Sequence, residues 1–331
     1  MVQVDRRVGG VMRAVRVERN GGPEVLTVRE IDPPKPEPGE VVIDVAASGV
    51  NFADVYQRTG LYQVPLPFTL GQEGAGTVSA VGADVRGIAV GDRVGWTSVN
   101  GSYAEQAAVP ADRVVPLPDG VDAEAAAAVL LQGMTAQYLV RSTYPVRPGD
   151  DVLVHAAAGG VGLLLTQIVK YLGGRVIGTA STPEKAERAR AAGADLVVGY
   201  DEVVDAVREF TDGDGVAVAY DGVGAATFEG SLASVRTRGY LVTFGNASGP
   251  VPAFEPLRLM QAGSVFVTRP TLVHYLRDRA ELLERADEVL GWAADGTIVA
   301  QITGRYGLDE AARAHEDLEA RRTTGKLLIV P

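Results

Sequence analysis

Cysteine is missing from this chain altogether, and histidine occurs only three times in 331 residues. The first absence excludes disulfides, thiolate metal sites and a cysteine nucleophile. The second leaves too few imidazoles for a histidine-rich metal centre. Basic residues are also in deficit: 31 Lys and Arg stand against 42 Asp and Glu, a formal net charge of −11. Such a surface repels polyphosphate and argues against nucleic acid as a partner. No stretch reaches the roughly 18 consecutive apolar residues that span a bilayer. Residues 1–10 are polar, carry Arg6 and Arg7, and have no apolar run behind them. They do not read as a secretory signal, and a cytoplasmic location is the expectation.

What is present is apolar bulk and glycine. Apolar residues make up 46 % of the chain, enough for a full core in each of about two domains. Residues 12–120 read as mostly β. Strand-like stretches at 12–18 and 25–30 flank the turn signal Asn20-Gly21-Gly22-Pro23. The proline-rich run 33–39 can be neither helix nor central strand, and further strands are expected at 40–47 and 74–81. Short strands at this spacing suggest a small, partly open barrel. Near Asp122 the character changes. An alanine-rich helix (123–131) and a second helical stretch (135–142) precede a regular alternation. Strands are expected at 151–155, 175–179, 196–198, 216–221, 240–244 and 265–267. Helices are expected at 161–172, 183–192, 203–210 and 227–235. That rhythm predicts a parallel, doubly wound α/β sheet covered on both faces. The tail, with helices at 277–294 and 308–320 and strands at 301–306 and 326–330, is expected to return to the first domain.

The strongest motif is Asp151-Val152-Leu153-Val154-His155-Ala156-Ala157-Ala158-Gly159-Gly160-Val161-Gly162. It has the strand–turn–helix context of a dinucleotide fingerprint, with Ala157 in place of the first glycine. Gly159 lets the backbone approach a pyrophosphate, Gly162 lets the helix pack on the strand, and the helix start offers N–H groups. An NAD site usually carries an acidic residue roughly 20 positions further on. Here the second strand runs into Gly178-Thr179-Ala180-Ser181-Thr182-Pro183-Glu184-Lys185, with Arg188 beyond. Hydroxyls and cations at a strand end that lacks a carboxylate suit a 2′-phosphate, so NADPH is the expected cofactor. Capping of the helix by Ser181 or Thr182 is compatible with that role.

Two further motifs, Gly71-Gln72-Glu73-Gly74-Ala75-Gly76 and Val90-Gly91-Asp92-Arg93-Val94, precede residues 156–162 of that turn in a fixed order. With them the chain resembles the medium-chain dehydrogenase/reductase superfamily over nearly its whole length. The resemblance implies a Rossmann domain (132–271) and a GroES-like catalytic domain (1–131 with 272–331). Gln72 stands where the family's zinc alcohol dehydrogenases have a histidine, and Asn51 falls in the segment of their upstream cysteine ligand. The lobe that binds structural zinc is absent. Glu73 alone cannot hold Zn²⁺, so no metal is expected. The segment Asn51-Phe52-Ala53-Asp54-Val55-Tyr56-Gln57-Arg58-Thr59-Gly60-Leu61-Tyr62, the cofactor turn, Phe244-Gly245-Asn246-Ala247-Ser248-Gly249 and Val267-Thr268-Arg269-Pro270 are similar to the zinc-free quinone oxidoreductase branch. That likeness implies that Asn51, Tyr56, Tyr62 and Thr135 lie by the nicotinamide. It gives the catalytic candidates as Asn51, Tyr56 and Tyr62. For cofactor binding it implies Ala158, Gly159, Gly160, Val161 and Gly162 at the turn, Ser181, Thr182, Lys185 and Tyr200 at the adenosine phosphate, and Phe244, Gly245, Asn246, Val267, Arg269 and Lys326 around the rest. It implies a homodimer, and residues 263–269 read as an apolar strand able to form a sheet edge.

Each candidate has a plainer reading. Tyr56 and Tyr62 also suit core or rim aromatics, Asn51 a turn residue bonding its own backbone, Tyr200 a cover for the sheet edge, and Arg269 a structural bond. His155, on a buried strand, reads as a satisfied core residue. His274 and His315 read as surface or cleft-edge residues. With the chemistry carried by the cofactor, the protein supplies position and electrostatics. A tyrosine hydroxyl and the Asn51 amide are candidate donors to a developing oxyanion. Quinone reduction is the leading reading. Reduction of an α,β-unsaturated ketone or thioester is the second. A non-catalytic NADPH- and RNA-binding or structural protein is the third, disfavoured by the acidic balance.

Overall fold

The computed structural model describes residues 10–331; the polar stretch 1–9 lies outside the described residues. Two compact units divide the chain. One comprises residues up to 130 with 304–320 and 327–331, the other 131–303 with 321–326. Helix 279–295 thus belongs with the second unit, whereas the sequence division assigned it to the first. Within that unit Arg285 of the helix donates to the Gln137 side chain (2.7 Å).

The first unit runs β1 (Met12–Val17), β2 (Thr27–Ile31), β3 (Glu40–Val50), α1 (Phe52–Thr59), β4 (Phe68–Thr69), β5 (Glu73–Val81), β6 (Arg93–Thr97), β7 (Gln106–Pro110) and β8 (Val114–Pro116), and then enters α2 (Ala123–Tyr138). The expected strand at 25–30 is shortened because Pro23 opens a single 3-10 turn over Pro23–Val25, a position at which its fixed φ suits a helical start. The long β3 is the spine of this unit. It pairs antiparallel with β5 along most of its length, with β7 at its start and with the final strand at its end. Its apolar residues Val41, Ile43 and Val45 close a core with Val78, Val94, Trp96 and Val109.

The second unit alternates as predicted: β9 (Asp151–Val154), α3 (Gly160–Tyr171), β10 (Arg175–Thr179), α4 (Pro183–Ala191), β11 (Leu196–Val198), α5 (Val203–Phe210), β12 (Val216–Asp221), α6 (Phe228–Ser234), β13 (Val235–Thr243), α7 (Leu257–Gln261), β14 (Phe266–Thr268) and α8 (Arg279–Asp295). The chain closes with β15 (Ile302–Tyr306), α9 (Ala311–Glu319) and β16 (Lys326–Ile329). The six parallel strands lie in the order β11-β10-β9-β12-β13-β14. This is the doubly wound Rossmann order, reversing direction between β9 and β12, and ligands bind such sheets at the carboxyl ends of the strands. Because all six strands run the same way, the turns after β9, β10, β11, β13 and β14 share one edge of the sheet.

Candidate cofactor and active sites

In the second unit, the turn after β9 is built by close approach. A Cβ added to Gly162 would sit 2.3 Å from the Ala156 carbonyl oxygen and 2.9 Å from the Ala157 Cα. Only glycine lets α3 pack this tightly on its strand. Ala156 itself lies in the left-handed region (φ 50°) and its N–H donates to the Thr179 hydroxyl. Gly159, the N-cap of α3, brings no side-chain acceptor to the helix start. The first-turn N–H groups are therefore left to a ligand or to solvent, as a pyrophosphate requires. A Cβ on Gly160 would strike the Gln132 side chain at 2.2 Å. The Ala158 carbonyl accepts from the Gly325 N–H (3.1 Å), which ties the turn to the 321–326 segment. Gln132, Gly160, Leu163, Gln301 and Lys326 come together beside the turn.

At the end of β10, Thr182 caps α4 by accepting from the Lys185 N–H (3.3 Å), so the plainer reading of this hydroxyl holds. The Lys185 side chain crosses to the 321–326 segment and donates to the Arg321 carbonyl (2.6 Å). Desolvation and then the nearby Arg321 charge pull the Lys185 ammonium below its ordinary range. Two cations held close together are favoured when an anion sits between them. Tyr200 follows β11, its ring stacked on His155 with centroids 6.0 Å apart. Burial pushes its phenol up, so it stays protonated. Arg321 was not visible as a site residue from sequence. It follows α9, far from the fingerprint, and only the close of the chain over the sheet edge brings it to Lys185.

Of the remaining cofactor candidates, residues 244–246 follow β13 and Arg269 follows β14. Phe244, after β13, donates its N–H to the Asp221 carbonyl, and Gly245 approaches Gly222 so closely that a Cβ would meet its oxygen at 2.2 Å. With its amide oriented by its hydrogen bonds, Asn246 donates to the Gly245 carbonyl (2.9 Å) and accepts from Arg269 (3.3 Å). Arg269 also donates to the Pro270 carbonyl, and Val267 pairs with Leu241 inside the sheet. Thr135, on α2, returns its hydroxyl to the Leu131 carbonyl (2.7 Å). Val161 sits half-buried in the first turn of α3, Ser181 is exposed, and Lys326 is buried with its N–H on the Gln301 carbonyl.

Beneath the turn lies a polar network that the sequence did not announce. Asp221, fully buried at the end of β12, accepts from Val223 N–H, Gly224 N–H, Thr227 and Ser231. Because Ser231 gives its proton to Asp221, its oxygen accepts from His155 Nε2 (2.9 Å), and His155 Nδ1 accepts from Thr179 (3.0 Å). Burial lowers the His155 pKa against the pull of Asp221, so the ring is neutral. His155 is the satisfied core residue that its strand position suggests.

In the first unit, Asn51 opens α1. It bonds its own turn, as the plainer reading has it, and more: its amide donates to the Gly49 carbonyl (3.1 Å) and to the Glu73 carboxylate (2.9 Å), and its N–H to the Asp54 side chain (2.8 Å). Both amide protons are committed, so the expected role of Asn51 as a direct oxyanion donor gives way to holding Glu73. Tyr56 is buried on α1, and Tyr62 packs edge-on against it at 5.1 Å with 40 % of its surface exposed. Gln72 donates its N–H to Asp54 (3.2 Å), and its side-chain Nε2 is buried with no hydrogen-bond partner. A buried amide donor without a partner is costly unless a ligand oxygen fills the place. The donor set Asn51, Gln72 and Glu73 does not fit Zn²⁺, since Asn51 already holds Glu73 and neither amide is a ligand the ion favours. Among the described residues no group of three His, Cys, Asp or Glu gathers to hold a metal. His315, read from sequence as a surface or cleft-edge residue, is instead 0 % exposed. The α9 pattern hides this, because a lone histidine among Ala, Arg and Glu carries no periodic signal. His274 is exposed as expected.

A doubly wound dinucleotide sheet joined in one chain to a β-rich unit defines the medium-chain dehydrogenase/reductase class. The family described as "Alcohol dehydrogenase GroES-like domain" matches residues 37–119, and that described as "Zinc-binding dehydrogenase" matches residues 160–288. A quinone oxidoreductase of Pseudomonas aeruginosa is 50 % identical over 315 residues, covering 94 % of this chain and 97 % of that protein. The crystal structure of Escherichia coli quinone oxidoreductase complexed with NADPH is 43 % identical, with a TM-score of 0.94, and covers 96 % of this chain and 100 % of that one. A 2-haloacrylate reductase of a Burkholderia species is 38 % identical, covering 97 % of this chain and 99 % of that protein. The chain belongs to the zinc-free quinone oxidoreductase branch of the medium-chain dehydrogenase/reductase superfamily.

Proposed function

We propose that this protein is an NADPH-dependent oxidoreductase that reduces quinones without zinc. The observation that carries the reading is the end of β10. Thr182, Lys185 and Arg321 gather there, with the Glu184 carboxylate drawn back onto the Thr182 hydroxyl at the start of α4, in a chain similar to quinone oxidoreductases along nearly its whole length. The backbone of residues 158–162 would hold the pyrophosphate, and Ser181, Thr182, Lys185, Tyr200 and Arg321 the 2′-phosphate. Residues 244–246, Val267, Arg269, Thr135 and Lys326 would complete the cofactor's surroundings. When bound, NADPH supplies a hydride. The protein's part is to polarise the acceptor carbonyl and to stabilise the oxygen as it gains charge. Tyr56, Tyr62 and the Gln72 amide are the donors for that oxygen, and Asn51 fixes Glu73 beside them.

A conjugated enone or enoyl-thioester makes nearly the same demands of the protein. Nothing in either unit favours it over a quinone, and the RNA-binding reading gains no support from a chain of net charge −11. β14 forms an edge of the six-stranded sheet with Phe266 53 % exposed, and Leu257 and Met260 on the preceding α7 are exposed as well. An uncovered apolar edge supports a homodimer paired through β14. No helix among the described residues is long and apolar enough to cross a membrane.

The test is NADPH oxidation followed with simple quinones, conjugated enones and enoyl-thioesters in parallel. Quinones are expected to turn over fastest. Asn51→Ala, Tyr56→Phe and Gln72→Leu are each expected to lower quinone turnover about tenfold or more, the scale of a lost oxyanion donor or its support. Unchanged turnover in all three variants sinks the assignment of the site.

A further inference from the structure

The chemistry assigned to Asn51 and Gln72 rests on where their backbones are held, and both are held by one group. Asp54 accepts the Asn51 N–H on Oδ2 (2.8 Å) and the Gln72 N–H on Oδ1 (3.2 Å). Asp54 is fully buried and is itself the end of a chain that begins on α9, more than 250 residues away in sequence. Arg58, 1 % exposed, makes a bidentate pair with Glu319 (2.9 Å for each bond) and reaches His315 Nδ1 (3.2 Å). His315 Nε2 lies 3.2 Å from the Tyr103 hydroxyl, which donates to Asp54 Oδ2 (3.2 Å).

The direction of every bond follows from the first. A guanidinium has no lone pair, so it can only donate to His315 Nδ1. His315 is then the neutral Nε2–H tautomer and donates to the Tyr103 oxygen. Tyr103 spends its own proton on Asp54, which accepts the two backbone N–H groups. Burial and the Arg58 charge keep the imidazole neutral, with its pKa lowered to about 3. Burial and Asp54 push the Tyr103 phenol well up, so it retains the proton it donates. The donors run one way from Arg58 through His315 and Tyr103 to Asp54, whose carboxylate also accepts the two backbone N–H groups, and each buried polar group in the chain has a partner.

Apolar packing would hold α1 against α9 at lower desolvation cost. A donor chain that ends on the carboxylate accepting two N–H groups of the candidate site does something packing does not: it fixes the direction of those N–H groups. We infer that His315 is a positioning residue for the reaction, acting through Tyr103 and Asp54 to hold the backbones of Asn51 and Gln72. This rests on the functional reading above, and the experiment separates the two.

The experiment measures quinone turnover by NADPH at saturation, together with NADPH binding by fluorescence titration, for wild type, His315→Leu, His315→Gln and Tyr103→Phe. His315→Leu removes the group that links Arg58 to Tyr103 and leaves each with its other partner alone. It is expected to lower kcat about ten- to a hundredfold, the scale of a misplaced catalytic group, with the NADPH Kd changed less than about twofold, because the cofactor residues lie in the other unit. His315→Gln can accept from Arg58 through its oxygen and donate to Tyr103 through its nitrogen, and is expected to restore kcat to within about threefold. Tyr103→Phe keeps the ring and cuts the chain, and is expected to slow turnover as His315→Leu does. Should His315→Leu fail to fold, Tyr103→Phe decides. Wild-type kcat in a folded His315→Leu or Tyr103→Phe overturns the inference, as does a His315→Gln enzyme as slow as His315→Leu. A wild type that binds NADPH but reduces no quinone overturns the functional reading, and the inference with it.

Discussion

His315 makes the stability of the first unit depend on pH in a way that can be worked out and measured. Its pKa is about 3 in the folded chain and about 6.5 in an unfolded one. A histidine whose folded pKa is depressed binds its proton only on unfolding when the pH lies between those two values. Its contribution is therefore fully present above about pH 6.5 and is lost as the pH falls toward 3. Integrating between pH 7 and pH 5 gives a loss of about 2 kcal/mol from this one group. His155 has the same sign, because burial lowers it too, so the whole-chain slope is not diagnostic. The difference between wild type and His315→Gln is. The chain has two tryptophans, and Trp96 is buried in the first unit. In a Trp292→Phe background, urea unfolding followed by Trp96 fluorescence reports that unit alone. The stability advantage of the histidine over the His315→Gln variant should shrink by about 2 kcal/mol from pH 7 to pH 5. An advantage constant to within about 0.5 kcal/mol, the usual limit of additivity, refutes a neutral, buried His315.

Three other outcomes are expected. Lys185→Ala should raise the NADPH Kd about tenfold or more while moving the NADH Kd less than about threefold, since only the former has a 2′-phosphate to lose a charge-assisted bond worth about 1.5–3 kcal/mol; equal losses in titrations with the two cofactors would count against the assignment. Gly162→Ala forces a Cβ against the Ala156 and Ala157 backbone, and should destabilise the second unit by about 1–3 kcal/mol and weaken NADPH binding, read by thermal unfolding and titration. Sedimentation should give a dimer for the wild type and a monomer, or a concentration-dependent mixture, for Phe266→Lys at the β14 edge; a monomeric wild type rejects the pairing.

Much of this was legible from the sequence, and for a physical reason: local chemistry was enough. The strand–helix rhythm after residue 149 fixed a parallel sheet because a helix crossover permits little else. The glycines at 159, 160 and 162, and the hydroxyls and Lys185 after a strand end that has no carboxylate of its own, spoke for NADPH within one short stretch. Gln72, Asn51 and the absent cysteines spoke against zinc without any coordinates. What local chemistry could not reach were partnerships closed across long loops. Arg321 meets Lys185 only because the 321–326 segment crosses the sheet edge. Asn51 turned from a donor into a brace for Glu73 because β3 and β5 lie side by side. His315 passed from presumed surface to full burial because α9 packs where Arg58 and Tyr103 wait for it. A side chain's neighbours in sequence set what it can offer. Which of those offers is used was decided only when the tertiary fold chose its partners and removed the water.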